Sequence, residues 1–362
     1  MKYVKIILMI LSAVLLFAAC AQDGEPIETD AAPESVTETE SRPESEPMPE
    51  TEPMETETEA ETEPVMLSRE EALIRSTLTG VRDPFVLNWQ GTYYLYATGW
   101  RMSVNESGDL ENGWSELRTD VVEVPEDCIG DQWAPEVHEY NGSLYMFTTY
   151  KSSKNDHRGC AIFKSDTPEG PFTLWSDGTI TPDDWDAIDG TLYVDPDGQP
   201  WMIFVHEWVS TDDGIGRFAA AKLSDDLKTF VSEPIELFRA DDAEWSRNPV
   251  TDGCFMYRTA EGRLLMLWSS WDSYGYSVWI AKKSTGTVEG QWKHETQAIY
   301  SKSMFGDYDG GHVSLFRDNE GRLYASMHSP NAAADDGTRE TAVFIPLKEE
   351  RNTLRWDLEP RN

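Results

Sequence analysis

Asp189 and Glu207 bracket one hairpin. Residues 187–194 read as a short apolar strand with Asp189 near its start, Asp197-Gly198 as a polar turn, and Trp201-Met202-Ile203-Phe204-Val205 as a second strand that runs out at His206-Glu207. The start of the first strand and the end of the second share an edge in an antiparallel pair, so the two carboxylates are expected to face one another across a single rim. Two carboxylates on one rim can act as an acid and a base, and the plainer reading is a pair of solvated loop carboxylates in an acidic chain. Four more segments stand ahead of similar hairpins: Val81-Arg82-Asp83-Pro84, Trp133-Ala134-Pro135-Glu136-Val137, Val250-Thr251-Asp252-Gly253 and Gly310-Gly311-His312-Val313. Four segments thus offer a carboxylate, Asp83, Glu136, Asp189 or Asp252, and the fifth offers His312. Brought together, such carboxylates repel one another, which raises at least one pKa and gives the protonated group a general acid needs.

Flat aromatic faces beside a few polar groups are what sugar rings require, and Trp100, Trp133, Trp208 and Trp271 all fall near strand ends on the same side as these carboxylates. Arg247 stands just before the fourth segment, where it could meet substrate hydroxyls. Each of the four tryptophans is also a candidate packing residue.

The elements that would position these groups recur. Gly91, Gly142, Gly198, Gly262 and Gly321 each follow a polar residue and precede an aromatic or aliphatic strand, at spacings of 51, 56, 64 and 59 residues. Each spacing is the length of a four-stranded propeller blade. Further strand pairs follow, as at 160–166 with 167–172, and 277–283 with 290–292. An all-β, five-bladed β-propeller over residues 67–362 is therefore expected, with the carboxylate segments as innermost strands converging on an axial funnel. A β-sandwich lacks so long a period. Only residues 68–75 read as a helical turn or two.

The first 20 residues combine a basic start, an apolar run from Ile6 to Ala19 and small residues before Cys20, the form of a bacterial lipoprotein signal with Cys20 lipidated, although Phe17 stands where Leu is more usual. Residues 21–66 are Glu, Thr, Pro and Ser with 16 acidic groups against Arg42, and read as a disordered, self-repelling tether. An extracytoplasmic protein anchored to the membrane only through Cys20 is the expectation. Of the net charge of −36, −23 falls on residues 67–362, which argues against nucleic acid as a partner. Cys128, Cys160 and Cys254 show no zinc spacing and permit one disulfide at most; they read as buried packing residues.

Arg82-Asp83-Pro84, Trp133-Ala134-Pro135-Glu136-Val137, Ile188-Asp189-Gly190 and Gly311-His312 resemble, in order, the blade-head motifs of family 43 glycoside hydrolases, and the resemblance covers nearly everything after Thr79. It implies an inverting enzyme releasing a terminal sugar from plant-type polysaccharide or oligosaccharide, arabinofuranose first, xylose or galactose next. It implies Asp83 as the base that activates water, Asp189 as the carboxylate that orients the acid and tunes its pKa, and His312 near the axis, holding a water or a calcium-like ion. No cofactor is required. The family's usual fourth-blade Glu is replaced by Thr251-Asp252-Gly253, which leaves Glu207 or Asp252 as the acid. It also leaves a non-catalytic glycan-binding propeller as the rival reading.

Overall fold

The computed structural model describes residues 65–360. The signal with Cys20, and the tether up to residue 64, lie outside the described residues.

A capping box closes the first turn of structure, with the Ser68 hydroxyl accepting from the Glu71 N–H and the Glu71 carboxylate accepting from the Ser68 N–H. The helix it caps, α1 (Arg69–Ala72), lasts only four residues. Ile74 and Arg75, expected to continue it, instead open strand β1 (Ile74–Thr79). A helix this short cannot outlast its nucleation cost, whereas Ile74 and Leu78 gain apolar burial and a strand ladder on the last blade.

Five sheets follow. Blade one is β2 (Phe85–Trp89), β3 (Thr92–Ala97) and β4 (Arg101–Asn105). Blade two is β5 (Cys128–Tyr140), β6 (Ser143–Ser152), β7 (Arg158–Ser165) and β8 (Thr173–Leu174). Blade three is β9 (Ala187–Val194), β10 (Pro200–His206), β11 (Arg217–Lys222) and β12 (Ile235–Arg239). Blade four is β13 (Asp252–Arg258), β14 (Leu264–Trp271), β15 (Tyr276–Lys283) and β16 (Lys293–His294). Blade five is β17 (Gly311–Arg317), β18 (Leu323–Ser329) and β19 (Thr341–Glu350), flanked by β1 and by β20 (Thr353–Trp356).

The five expected glycines are the five first turns, and all have positive φ, from 77° at Gly142 to 91° at Gly91. The innermost strands β2, β5, β9, β13 and β17 touch in a closed ring, and the bond between chain start and chain end is made by β1, which pairs antiparallel with β19. Blade one departs from four strands: a single bridge, Met102 to Arg118, stands where an outer strand would lie. One hydrophobic cluster fills each seam between blades. Examples are Trp100, Tyr150 and Phe163 between blades one and two, and Phe218, Trp245 and Trp268 between blades three and four. Cys160 and Cys254 are buried, Cys128 is half-buried, and all three are free thiols.

Candidate active site

The innermost segment of every blade carries a kink: just before β2, inside β5, and near the start of β9, β13 and β17. Asp83, Ala134, Asp189, Gly253 and His312 adopt left-handed φ of 53°, 45°, 57°, 44° and 56° at the same place in blades one to five, and the pairing register slips there in blades two to five. Such a bulge turns one side chain out of the pleat and aims it along the axis. The expected set of four carboxylates in register is thereby corrected. Only Asp83, Asp189 and His312 occupy the kinked position. In blade two it is Ala134, and Glu136 lies two residues further down the strand, buried and bonded to the Thr191 hydroxyl at 2.6 Å and His138 at 3.0 Å. In blade four it is Gly253, and Asp252 reaches the axis from one residue earlier.

Side chains on neighbouring second strands hold these kinks. The N–H of Asp83 donates to His328 Nδ1 at 3.2 Å, that of Ala134 to Thr98 Oγ1 at 3.0 Å, that of Asp189 to Thr149 Oγ1 at 3.0 Å, and that of His312 to Ser269 Oγ at 2.9 Å. In blade three the corresponding residue, Val205 opposite Ile188, has no acceptor. The Gly253 N–H donates instead to the Asp189 carboxylate at 2.9 Å. One apolar residue thus ties Asp189 to blade four, beside Asp252.

At the centre, His312 Nδ1 lies 3.3 Å from Asp83, 3.6 Å from Asp252 and 3.8 Å from Asp189. Burial works against a charged imidazole, yet Asp83, Asp189 and Asp252 together outweigh it and lift His312 to about 10. Burial pushes His328 down to about 4, so that ring is neutral and its Nδ1 is free to accept from Asp83. Burial also opposes charge on Asp83, but His312, His328, Arg82 and the Thr98 hydroxyl hold its carboxyl below the usual value. Asp189 and Asp252 share a proton. Burial and the neighbouring Asp252 drive Asp189 well above the ordinary carboxylate value. Asp252 is also buried, but bonds from His312, Asp189 and the Tyr276 hydroxyl, the last at 2.6 Å, hold it well below.

Glu207 follows β10 at the same end as Asp189, as the hairpin predicts, with its N–H donating to the Asp186 carbonyl at 2.9 Å. It is 4% exposed, and burial raises its pKa against the opposing pull of Arg158. The Arg158 guanidinium bonds Glu207 through Nε at 2.5 Å and pairs with Asp131 at 3.3 Å and Asp186 at 3.5 Å. Its carbon lies 5.4 Å from the centroid of the Trp133 ring. Trp133 therefore borders the Glu207 end of the site. Trp271 adjoins Tyr276, ring centroids 4.6 Å apart, at the Asp252 end, and Trp208 is half-buried immediately after Glu207.

Trp100 is not available to a sugar. It is 2% exposed, sealed between blades one and two against Tyr150 and Phe163, with its indole N–H bonded to Thr148. The Arg247 guanidinium folds back on its own loop, donating to the carbonyls of Glu244 and Ser246. Sequence reasoning missed Arg158, Tyr276 and His328, which come from other strands than the heads. The one available signal was position at the funnel end of a strand: Arg158 and Tyr276 open theirs, and His328 is the last residue but one of β18. Ligand atoms of Asp189, Asp252 and His312 lie within 4.8 Å of one another, a set that could take one small cation. The Nδ1 of His312 already supplies positive charge there.

A closed ring of five blades with carboxylates of opposed proton affinity at its axis defines the class as a propeller with acid–base equipment. The chain belongs to family 43 of the glycosyl hydrolases, whose model matches residues 77–345. It is similar to the crystal structure of an endo-arabinase from Bacteroides thetaiotaomicron VPI-5482, with 37% identity and a TM-score of 0.66 over 77% of this chain and 98% of that one. A thermostable family-43 glycoside hydrolase shares the fold, at 23% identity and a TM-score of 0.69 over 80% of this chain and 97% of that one. Among curated proteins, an extracellular exo-α-(1→5)-L-arabinofuranosidase of Cellvibrio japonicus (strain Ueda107) is 29% identical over 170 residues, 43% of this chain and 47% of that protein. The chain spans about half the length or less of the curated relatives it matches.

Proposed function

We propose that the protein is an inverting glycoside hydrolase that cleaves arabinofuranosyl linkages of plant-type arabinan, with release of terminal arabinose as the first reading. One observation carries this: two carboxylates at the funnel are displaced in opposite directions, Asp83 below its ordinary value by His312 and its neighbours and Glu207 above its own by burial. Asp83 takes a proton from water as the water oxygen attacks the anomeric carbon. Glu207 gives its proton to the departing glycosidic oxygen, the C–O bond breaks, and the configuration inverts. An inverting pair stands about 6.5–9.5 Å apart, leaving room for that water.

Asp189 is the tuning carboxylate in this reading, tied to the fourth blade and sharing a proton with Asp252. Asp252 is less suited to be the acid, because Tyr276 and His312 favour its charged form. A calcium ion at the axis would take its oxygens from Asp189 and Asp252, with His312 reaching it only through water, and would add fixed positive charge there; no step runs through it.

Trp133 and Trp271 are proposed as sugar-facing walls, with Trp208 beyond Glu207. Arabinan as substrate is supported by the names of the relatives. The 37% identity to an endo-arabinase favours a second reading, cleavage at internal linkages. The first 20 residues support export and attachment through Cys20.

Hydrolysis of 4-nitrophenyl α-L-arabinofuranoside and of arabinan tests the reading, with the product's first-formed anomer followed by NMR. The expected result is inversion, with free arabinose rather than a ladder of oligosaccharides. Asp83→Asn is expected to lower kcat about 10²- to 10⁴-fold. Glu207→Gln should suffer most on substrates with poor leaving groups. A larger loss in Asp252→Asn would make Asp252 the acid, and retained glycan binding without hydrolysis by the parent would establish a binding propeller.

A further inference from the structure

His328 stands between two partners whose roles are fixed. It is completely buried near the end of β18. Its Nδ1 faces the main-chain N–H of Asp83 at 3.2 Å, and a backbone N–H can only donate. Nδ1 must therefore carry the lone pair. Its Nε2 faces Asn331 Oδ1 at 3.3 Å, from a residue that lies two positions past the strand. An asparagine amide offers either an oxygen or a nitrogen, so which of them meets His328 depends on what else holds it.

Arg82 decides the matter. A guanidinium has donors only, and this one grips Asn331 twice, through Nη1 to the main-chain carbonyl and through Nη2 to Oδ1 at 3.4 Å. The Asn331 N–H donates to Asp309 Oδ1 at 3.1 Å, and the other Asp309 oxygen accepts from the Tyr276 N–H at 3.2 Å. Asn331 is thus pinned from blade one and from blade four with its amide oxygen toward the imidazole. The proton of a neutral His328 ring belongs on Nε2.

The other tautomer would have a use of its own. His328 Nδ1 also lies 3.4 Å from the Asp83 carboxylate. A proton on Nδ1 would be drawn to that oxygen, would leave the Asp83 N–H without its acceptor, and would loosen the kink held at a φ of 53°. It would also add a donor to a carboxylate that already accepts from the Thr98 hydroxyl and lies 3.3 Å from His312 Nδ1. A carboxylate so saturated with donors is a poorer base. Burial pushes His328 down to about 4, so at ordinary pH the choice lies between two neutral tautomers.

We propose that Asn331 is a positioning residue for the base: it fixes His328 as the Nε2–H tautomer, so that Nδ1 holds the Asp83 main chain in its kink and leaves the Asp83 carboxylate to take a proton from water. The base role of Asp83 rests on the hydrolase reading; the tautomer does not. His328 is sealed from solvent and meets no substrate, so its effect travels through Asp83.

The test uses the full chain labelled with ¹⁵N in its histidine rings, with Asn331→Ala and Asn331→Asp beside it. The ¹⁵N shifts and their couplings to ring protons distinguish the Nε2–H, Nδ1–H and doubly protonated forms, and the His328 signals are those that vanish in His328→Asn. Turnover of 4-nitrophenyl α-L-arabinofuranoside and of arabinan reads the base, and thermal melting checks folding. The parent is expected to show Nε2–H. In Asn331→Ala an Nδ1–H form should appear, with kcat lowered about 10- to 100-fold and KM nearly unchanged. Asn331→Asp, whose oxygens accept in either orientation, should recover Nε2–H and most of kcat. An Nδ1–H or doubly protonated His328 in the parent overturns the proposal and needs no variant to fold. So does Nε2–H retained in folded Asn331→Ala, or an equal loss of kcat in the two folded variants, which would make Asn331 a packing residue alone. A tautomer switch with kcat unchanged removes its role for the base. A parent with the Nε2–H ring that turns over neither substrate leaves the tautomer assignment standing and removes the hydrolase reading instead.

Discussion

Opposite pKa displacements of Asp83 and Glu207 set the expected pH behaviour. Activity needs Asp83 deprotonated and Glu207 protonated, so kcat/KM is expected to be bell-shaped. The acid limb should lie below the ordinary Asp value of 3.8, because His312 and its neighbours outweigh burial at Asp83. The alkaline limb should lie above the ordinary Glu value of 4.5, because burial raises Glu207. Arg158 is the lever on the second limb. Its guanidinium favours the charged form of Glu207, so Arg158→Gln removes that stabilisation, raises the pKa and keeps the acid protonated to higher pH. The alkaline limb is expected to move up in pH while the acid limb stays in place. A pH–rate profile of the variant checks both. Arg158 was invisible in the sequence because an arginine opening β7 looks like any surface cation; only the approach of blade two to blade three brings it to Glu207.

Among the elements, the kinked strand heads do the positioning. Gly253 shows what they demand: its φ is 44°, and a Cβ there would lie 2.8 Å from the His312 Cα. Gly253→Ala is expected to cost about 1–3 kcal/mol in backbone strain, and to displace His312, so that turnover falls as well as the urea midpoint. Gly91→Ala is a useful contrast, since a Cβ there meets nothing within 4 Å. It should lose only part of that stability and none of the activity. The sequence placed the strand heads correctly but misjudged their register by one residue in blade four and two in blade two. A bulge inserts a residue without leaving a compositional mark, so Glu136 and Asp252 looked equivalent to Asp83 and Asp189 when they are not.

For the whole molecule, closure of the ring depends on β1. The six-residue β1, near the start of the described residues, pairs with β19 at Ile74, Arg75 and Thr79, so blade five is assembled from both ends of the domain. Removing residues 1–79 should expose the β19 edge and forfeit the burial of Ile74 and Leu78, together worth about 3 kcal/mol. The expected outcome is a broadened, lower thermal transition compared with a chain that begins at residue 65, measured by calorimetry. The helical reading of residues 68–75 holds for the single turn Arg69–Ala72 and fails from Ile74 onward, because the capping box is local and legible, whereas the partner strand lies more than 260 residues away.

The sequence by itself determined the architecture. A Gly turn recurring every 51 to 64 residues before an aromatic strand needs no tertiary information to indicate blades, because turn chemistry and strand alternation are local. It also singled out Asp83, Asp189, Glu207, Asp252 and His312 as candidates, and placed Glu207 on one edge with Asp189. Only the tertiary structure decided which of them carry protons and which tryptophans can meet a sugar. Those properties depend on burial and on charges contributed by other blades. Asp189 and Asp252 part company because burial and the neighbouring Asp252 raise the one while His312 and the Tyr276 hydroxyl hold down the other, and Trp100 is lost to the seam because Thr148, Tyr150 and Phe163 enclose it. Local pattern specifies the strands; long-range contact specifies the electrostatics between them.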